Sequence, residues 1–289
     1  MTETVATRAA ADVARRKHPA RVRAYSGFRG TMIVLVVLMF LVPLAWMVLA
    51  SFKTNVDLHD TSKAFIFTPI IDNYQHVLGN DNYVNFVWNS FIVAFLSTGI
   101  SLIIGVPAAY SMSRFNMQKS ALLVLLARII PGVSLLVPWY YVFANLGWVG
   151  GYGVLVISHM FILIPISVYI MMSFFDSMPL ELEEASLVDG LTPIGAFLRI
   201  LLPLSVPGIA TAGILSFIFS WNNFMFALVL SGAHTKTLPV AVFDFVSYAS
   251  IDWGAIMAAA VIMTLPIIVI ALFAQKYIVS GLTAGATKG

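Results

Sequence analysis

The stretch SMPLELEEASLVDGLTPIGAFLRILLPLSVP, residues 177–207, decides how the rest of the chain is read. It is the one acid-rich segment set between long apolar runs. Its composition predicts two short helices joined by a glycine corner. Ser177 is placed to cap the first helix, with Pro179 in its first turn and Glu181, Glu183 and Glu184 near its positive end. Gly190 suits a left-handed residue that ends that helix. Thr192-Pro193 starts the second helix, and Pro203 stops or kinks it as the chain turns back into an apolar run. Ala185 and Ser186 are small enough for another surface to approach the backbone closely.

Outward from this segment the chain is too apolar to be a water-soluble globule. Hydrophobic residues make up 60% and charged residues 10% of its 289 residues, where soluble domains carry about 25% charged residues. We read it as an all-α protein that crosses a membrane several times. There is no cysteine, which excludes disulfides and thiol chemistry. The basic cluster is a single terminal tail without interleaved aromatics, so nucleic-acid binding is not expected.

Residues 1–29 hold Arg8, Arg15, Arg16, Lys17, Arg21, Arg23 and Arg29 and read as a largely disordered basic tail. Residues 31–50 form an uncharged first span, too long for the apolar core of a signal peptide although Val48-Leu49-Ala50 resembles a cleavage site. Residues 52–86 form a polar loop with Asp57, Asp60, Asp72 and Asp81 and a short amphipathic piece near 73–78. The second span covers about 87–112, where Gly105 and Pro107 can kink it. No Asp, Glu, Lys or Arg occurs from Ile129 to Phe175. The turn-rich NLGWVGGYG at 145–153 divides that region into a third and a fourth span. A fifth span covers about 204–230, a polar loop 231–253, and a sixth span about 254–274.

Six spans place both termini on one side, and the positive-inside rule makes that side the cytoplasm. The basic tail, Arg114, Lys119, Arg199, Lys276 and Lys288 then lie inside, together with the 177–207 loop. The domain reading is a cytoplasmic tail over 1–29, a six-helix transmembrane domain over 30–280 and a cytoplasmic tail over 281–289.

The order Glu184-Ala185-Ser186, then Gly190, Ile200 and Leu202-Pro203, resembles the signature cytoplasmic loop of bacterial ATP-binding-cassette importer permeases. Ser186 stands where a second alanine is usual, and the spacing matches throughout. A polar connector would need only some charge, not this long and specific order. The resemblance implies a type I importer permease fold, in which Glu184, Ala185, Ser186, Asp189, Gly190, Pro193, Ile200, Leu202 and Pro203 form a coupling loop docked on a separate ATPase. It implies no cofactor on this chain, with ATP and Mg held by two partner ATPase subunits. The other implied partners are a second permease, an extracytoplasmic binding protein or lipoprotein, and the bilayer of a bacterial cytoplasmic membrane.

Beyond the loop, the segment Ser220-Trp221-Asn222-Asn223-Phe224 is similar to that of maltose-type carbohydrate and polyol importers, with Asn223 where an acid is common. The tail Gly281-Leu282-Thr283-Ala284-Gly285, followed by Lys288-Gly289, resembles that branch's C-terminus, which reaches into the ATPase dimer. The same resemblance has the 231–253 loop entering the binding protein's ligand cleft.

Trp221, Asn222 and Asn223 offer an aromatic face beside amides, suited either to a sugar or to helix–helix hydrogen bonding. Arg128, next to Pro131-Gly132, is either a pathway residue or a structural arginine on freed carbonyls. His159 reads as a buried, bonded histidine, and Trp139, Tyr140 and Tyr141 as an interfacial belt. No G-x-x-x-x-G-K-[ST], H-E-x-x-H or G-x-S-x-G motif occurs, so phosphate cradling and two protease or hydrolase chemistries lack support. An ion-coupled secondary transporter would want acids inside its spans, and every Asp and Glu lies outside them. A permease for a solute other than sugar is the second alternative.

Overall fold

The computed structural model describes residues 3–79, 82–246 and 251–284. Its elements are helical throughout the described residues. In chain order they are α1 (Glu3–Ala50), α2 (Asn55–His59), α3 (Asp72–Leu78), α4 (Tyr83–Arg114), α5 (Gln118–Leu126), α6 (Gly132–Asn145) and α7 (Tyr152–Ser177). Then come α8 (Glu181–Val188), α9 (Pro193–Ala196), a π turn over Phe197–Leu201, α10 (Leu202–Leu204), α11 (Val206–Trp221), α12 (Met225–Leu230), α13 (Leu238–Ala241) and α14 (Trp253–Ala284). Asp81, and Gly285, Lys288 and Gly289 of the tail, lie outside the described residues.

Four helical segments are long and apolar enough to cross a membrane: Gly27–Ala50, Tyr83–Arg114, Tyr152–Ser177 and Trp253–Phe273. A fifth is the bent pair Pro193–Leu204 and Val206–Trp221, which turns by 72° at Ser205. The expected third span is instead two shorter helices, α5 and α6, separated by a turn at residues 127–131. Pro131 explains the break, because the residue before a proline is held out of helical geometry.

The centre of the bundle is α4, α7 and α11, with α14 packed against α11 and α1 packed against α14. Small residues set the spacing. A Cβ built on Gly105 would sit 2.9 Å from Cβ of Ser167, so α4 and α7 touch backbone to backbone there. Gly105 provides that contact, and α4 is one helix through Pro107. Ser167 and Ser216 meet at 3.4 Å across α7 and α11. Small and hydroxyl-bearing residues at such crossings let apolar helices associate where lipid removes the hydrophobic drive.

Three expectations from sequence are revised. Residues 3–29 continue α1 as helix rather than forming a disordered tail; the segment is rich in alanine and arginine, both good helix formers. Ser177 is the last residue of α7, not a cap for the next helix: its hydroxyl donates to Phe174 O at 2.7 Å. Pro179 accordingly lies ahead of α8, whose N-cap position is Leu180. The fifth span is not continuous to residue 230, because α11 stops at Trp221 and α12 restarts at Met225.

Candidate functional site: the 181–207 loop and the 221–224 break

The loop that decides the fold is built as two caps around one corner. At the end of α8 the Leu191 N–H donates to Ser186 O (3.1 Å) and the Gly190 N–H to Leu187 O (3.0 Å). This is the Schellman arrangement, and it requires the left-handed φ of +90° that Gly190 adopts. Thr192 Oγ1 then accepts from the Gly195 N–H at 3.1 Å, with Pro193 at the first helical position of α9. Both features follow from the sequence as read.

Below the corner the chain underwinds into the π turn that holds Ile200. Pro203 has no N–H to give the Arg199 carbonyl, and the widened turn bonds Leu202 N–H to Phe197 O instead. Ser205 is fully buried at the bend, its hydroxyl donating to Leu201 O at 2.6 Å. Ile200 and Leu202 are half-buried and Pro203 is exposed.

One glutamate of the three holds the loop to the bundle. Glu183 Oε1 accepts from Tyr110 OH at 2.5 Å, and Oε2 lies 3.1 Å from Arg114 Nε. Tyr110 and Arg114 are one turn apart at the end of α4, so a carboxylate of the loop bridges two groups of one helix. Beneath this anchor the rings of Tyr110, Phe175 and Phe197 cluster, with Tyr110 and Phe197 centroids 4.7 Å apart. Sequence reading treats all three glutamates as docking charges. Glu183 instead turns inward, while Glu181 and Glu184 remain exposed.

The outer side of the loop presents apolar surface with acids among it. Val188 is 87% and Ile194 71% exposed. Leu187, Leu198, Glu184, Ala185 and Asp189 are exposed as well. Ser186 is buried, and its hydroxyl donates to Glu183 O at 2.7 Å, which satisfies the group that replaces the usual alanine methyl. Beside it a cavity of about 350 Å³ opens between Pro107, Tyr110, Phe115, Pro193, Ile194 and Leu198. The arrangement is a rigid corner with an exposed apolar edge and no reactive group; it can bear on a second protein.

The other candidate residues separate in space. Trp221 is buried, stacked on Phe217 at 5.8 Å, and its indole N–H donates to Met263 O at 3.1 Å. Asn223 Oδ1 accepts from the Phe226 N–H at 3.2 Å and so caps the restart at α12. An amide oxygen performs that role as a carboxylate does, which accounts for asparagine at this position. Asn222 is exposed, its amide N–H donating to Ile218 O at 2.9 Å. Of the three, Asn222 alone presents its side chain outward. Arg128 sits in the turn between α5 and α6, exposed, on a cavity of about 210 Å³ with Pro131, Phe161 and Ile162. Its side chain makes no hydrogen bond or ion pair with the described residues.

His159 is buried, as expected, with Nδ1 2.6 Å from Ser220 Oγ. Ser220 Oγ also lies 2.9 Å from Ser97 Oγ, so one hydroxyl ties α4, α7 and α11 together.

A family model described as "binding-protein-dependent transport system inner membrane component" matches residues 101–284. The sulfoquinovosyl glycerol transport system permease protein SmoH of Agrobacterium fabrum is 35% identical over 86% of this chain and 89% of its own length. The trehalose/maltose transport system permease protein MalG of Thermococcus litoralis is 35% identical over 89% and 94%. Among solved structures, a bacterial ABC transporter involved in import of the acidic polysaccharide alginate superposes with a TM-score of 0.74 at 20% identity, covering 88% of this chain and 96% of that one. The chain belongs to the family of binding-protein-dependent transport system inner membrane components.

Proposed function

We propose that the chain is one of two different permease subunits of an ATP-driven importer for a carbohydrate or polyol. Relatives named for trehalose, maltose and sulfoquinovosyl glycerol support the sugar class. In this reading α5 and α6 together make the third of six spans, and both termini and the 181–207 loop face the cytoplasm. Two ATPase subunits hold ATP and Mg, and an extracytoplasmic binding protein or lipoprotein delivers the solute.

The carrying observation is the loop itself: a corner fixed at Gly190, an apolar outer edge at Val188 and Ile194, and an inward anchor from Glu183 to α4. Closure of the ATPase dimer pushes on the edge. The anchor passes that movement to α4, and the π turn and 72° bend at Ser205 pass it to α11. The permease alternates between inward-open and outward-open states because its partners bind the two states unequally. Asn222 is the residue of the 221–224 segment placed to meet solute, with Trp221 and Asn223 holding the break open around it. Arg128 is a second pathway candidate on the strength of its unpaired charge.

The test is ATP-dependent uptake by proteoliposomes holding the whole complex, with and without the ATPase, over a panel of disaccharides and polyols. Uptake that needs the ATPase and the binding protein is expected. Uptake driven by an ion gradient without ATP overturns the reading in favour of a secondary transporter.

A further inference from the structure

At the end of α4 away from Arg114, about 40 Å along the helix, lies a cavity of about 370 Å³. It is lined by Asn82, Asn85, Trp88 and Asn89 of α4 and the residues leading into it, Tyr152 at the start of α7, and His234 of the 231–237 segment. The volume falls in the ~300–1,000 Å³ range of small-molecule sites.

Its floor is braced. Asn89 is buried and spends its whole side chain: Nδ2 donates to His234 O (2.9 Å) and Lys236 O (2.8 Å), and Oδ1 accepts from Tyr152 OH (2.7 Å). Ser90 Oγ accepts from the Leu238 N–H at 2.7 Å. Thr235 Oγ1 donates to Gly150 O at 2.8 Å, where a Cβ on Gly232 would lie 2.9 Å from Gly150 Cα. The 231–237 segment is therefore tied to two helices and does not collapse into the cavity. The rim is open: Trp88 is 58% exposed, its indole held edge-on by Phe91 at 5.8 Å. Asn82, Asn85 and His234 are exposed too.

The lining is polar. Among the described residues no carboxylate, lysine or arginine lines the cavity, and the ammonium of nearby Lys236 is turned to Asp244 at 2.6 Å. A phosphate headgroup would need a cation that the lining lacks. Asn82 and Asn85 bring polar groups to the rim, and the exposed indole face of Trp88 matches the C–H face of a pyranose ring. We propose that this cavity is a glycosyl subsite at the extracytoplasmic mouth, where one sugar ring rests on Trp88 between release from the binding protein and entry to the bundle. The proposal rests on the sugar-importer reading for its place in the transport cycle.

The experiment is saturation-transfer NMR on the purified complex without binding protein, using glucose, trehalose, maltose and sorbitol as probes. The wild type should transfer saturation to the ring protons of at least one pyranoside. Trp88→Ala should reduce that signal at least five-fold, and Trp88→Phe, which keeps an aromatic face, should restore most of it. Failure of every probe to show Trp88-dependent transfer overturns the subsite and leaves Trp88 a membrane-interface aromatic. Binding-protein-stimulated ATP hydrolysis, measured on the same samples, reports separately on the importer reading. Stimulation without Trp88-dependent transfer defeats the subsite alone, whereas absence of stimulation defeats the importer.

Discussion

Glu183 of the loop and Arg114 of α4 form an ion pair, 3.1 Å from Oε2 to Nε, with both side chains largely withdrawn from solvent. The pair joins the loop with the exposed apolar edge to the longest helix at the centre of the bundle. Removing one partner of a largely buried pair costs on the order of 3 kcal/mol, because the other charge stays behind. Glu183→Ala should therefore lower the melting temperature of the purified complex and uncouple ATP hydrolysis from uptake. Glu183→Leu combined with Arg114→Met should recover stability without recovering coupling. Equal stability of wild type and Glu183→Ala would show the pair to be incidental.

Gly190 has φ +90° and open space around the position where a Cβ would go. Substitution there strains the backbone and meets no neighbour. Gly190→Val should cost about 1–2 kcal/mol locally, misplace α8, and reduce co-purification of the ATPase while leaving the permease inserted. Gly190→Asn, which tolerates the left-handed region better, should retain most of it. A pull-down comparing the two variants checks the order; equal retention would contradict a backbone origin.

Asn223 caps α12 through its side-chain oxygen. Asn223→Asp should hold the thermal stability of the complex. Asn223→Leu should lose about 1 kcal/mol, the usual worth of such a cap. A melting curve for each variant, followed by intrinsic fluorescence in detergent, distinguishes them.

In the 54–64 segment, the hydrogen bond from Lys63 holds the Asp57 carboxyl below its ordinary value, and the same bond holds Lys63 above its own. The carboxylate's contribution is present above the ordinary carboxylate pKa and fades as pH falls through the lowered folded value. The ammonium's contribution is full below the ordinary lysine pKa and fades as pH rises through the raised folded value. Order in this segment should hold from about pH 4 to about pH 10 and loosen on both sides. Hydrogen-exchange protection, corrected for intrinsic rates, should show that plateau in the wild type and lose it in Asp57→Asn.

Local chemistry was legible wherever the deciding contacts are close in sequence. Gly190, Thr192 and Pro193 act within five residues of one another, and their turn rules predict the corner directly. The apolar runs mark α4, α7 and α14 for the same reason. What the sequence does not show is pairing across the fold. Glu183 looks like its neighbours Glu181 and Glu184 until Tyr110 and Arg114 are brought beside it. Trp221 reads either as a sugar face or as a helix–helix contact, because composition alone does not reveal that Met263 takes its N–H. The break between α11 and α12 hides inside an apolar run, and the Ser177 cap fails because α7 runs two residues past the end of its uncharged run at Phe175. Lys53 is fully buried in a loop that reads as polar, held by Lys63 O and Ala64 O and by the rings of Trp46 and Phe67.

We place the action of an ATPase on this chain at the 181–207 loop. The direct measurement places a photo-activated cross-linking residue at Val188, the most exposed apolar position of α8, in the assembled transporter in sealed membrane vesicles. An adduct with the ATPase subunit is expected, with a yield that changes between nucleotide-free and ATP-trapped complexes. Absence of any ATPase adduct at Val188, in membranes where the ATPase co-purifies normally, would contradict it.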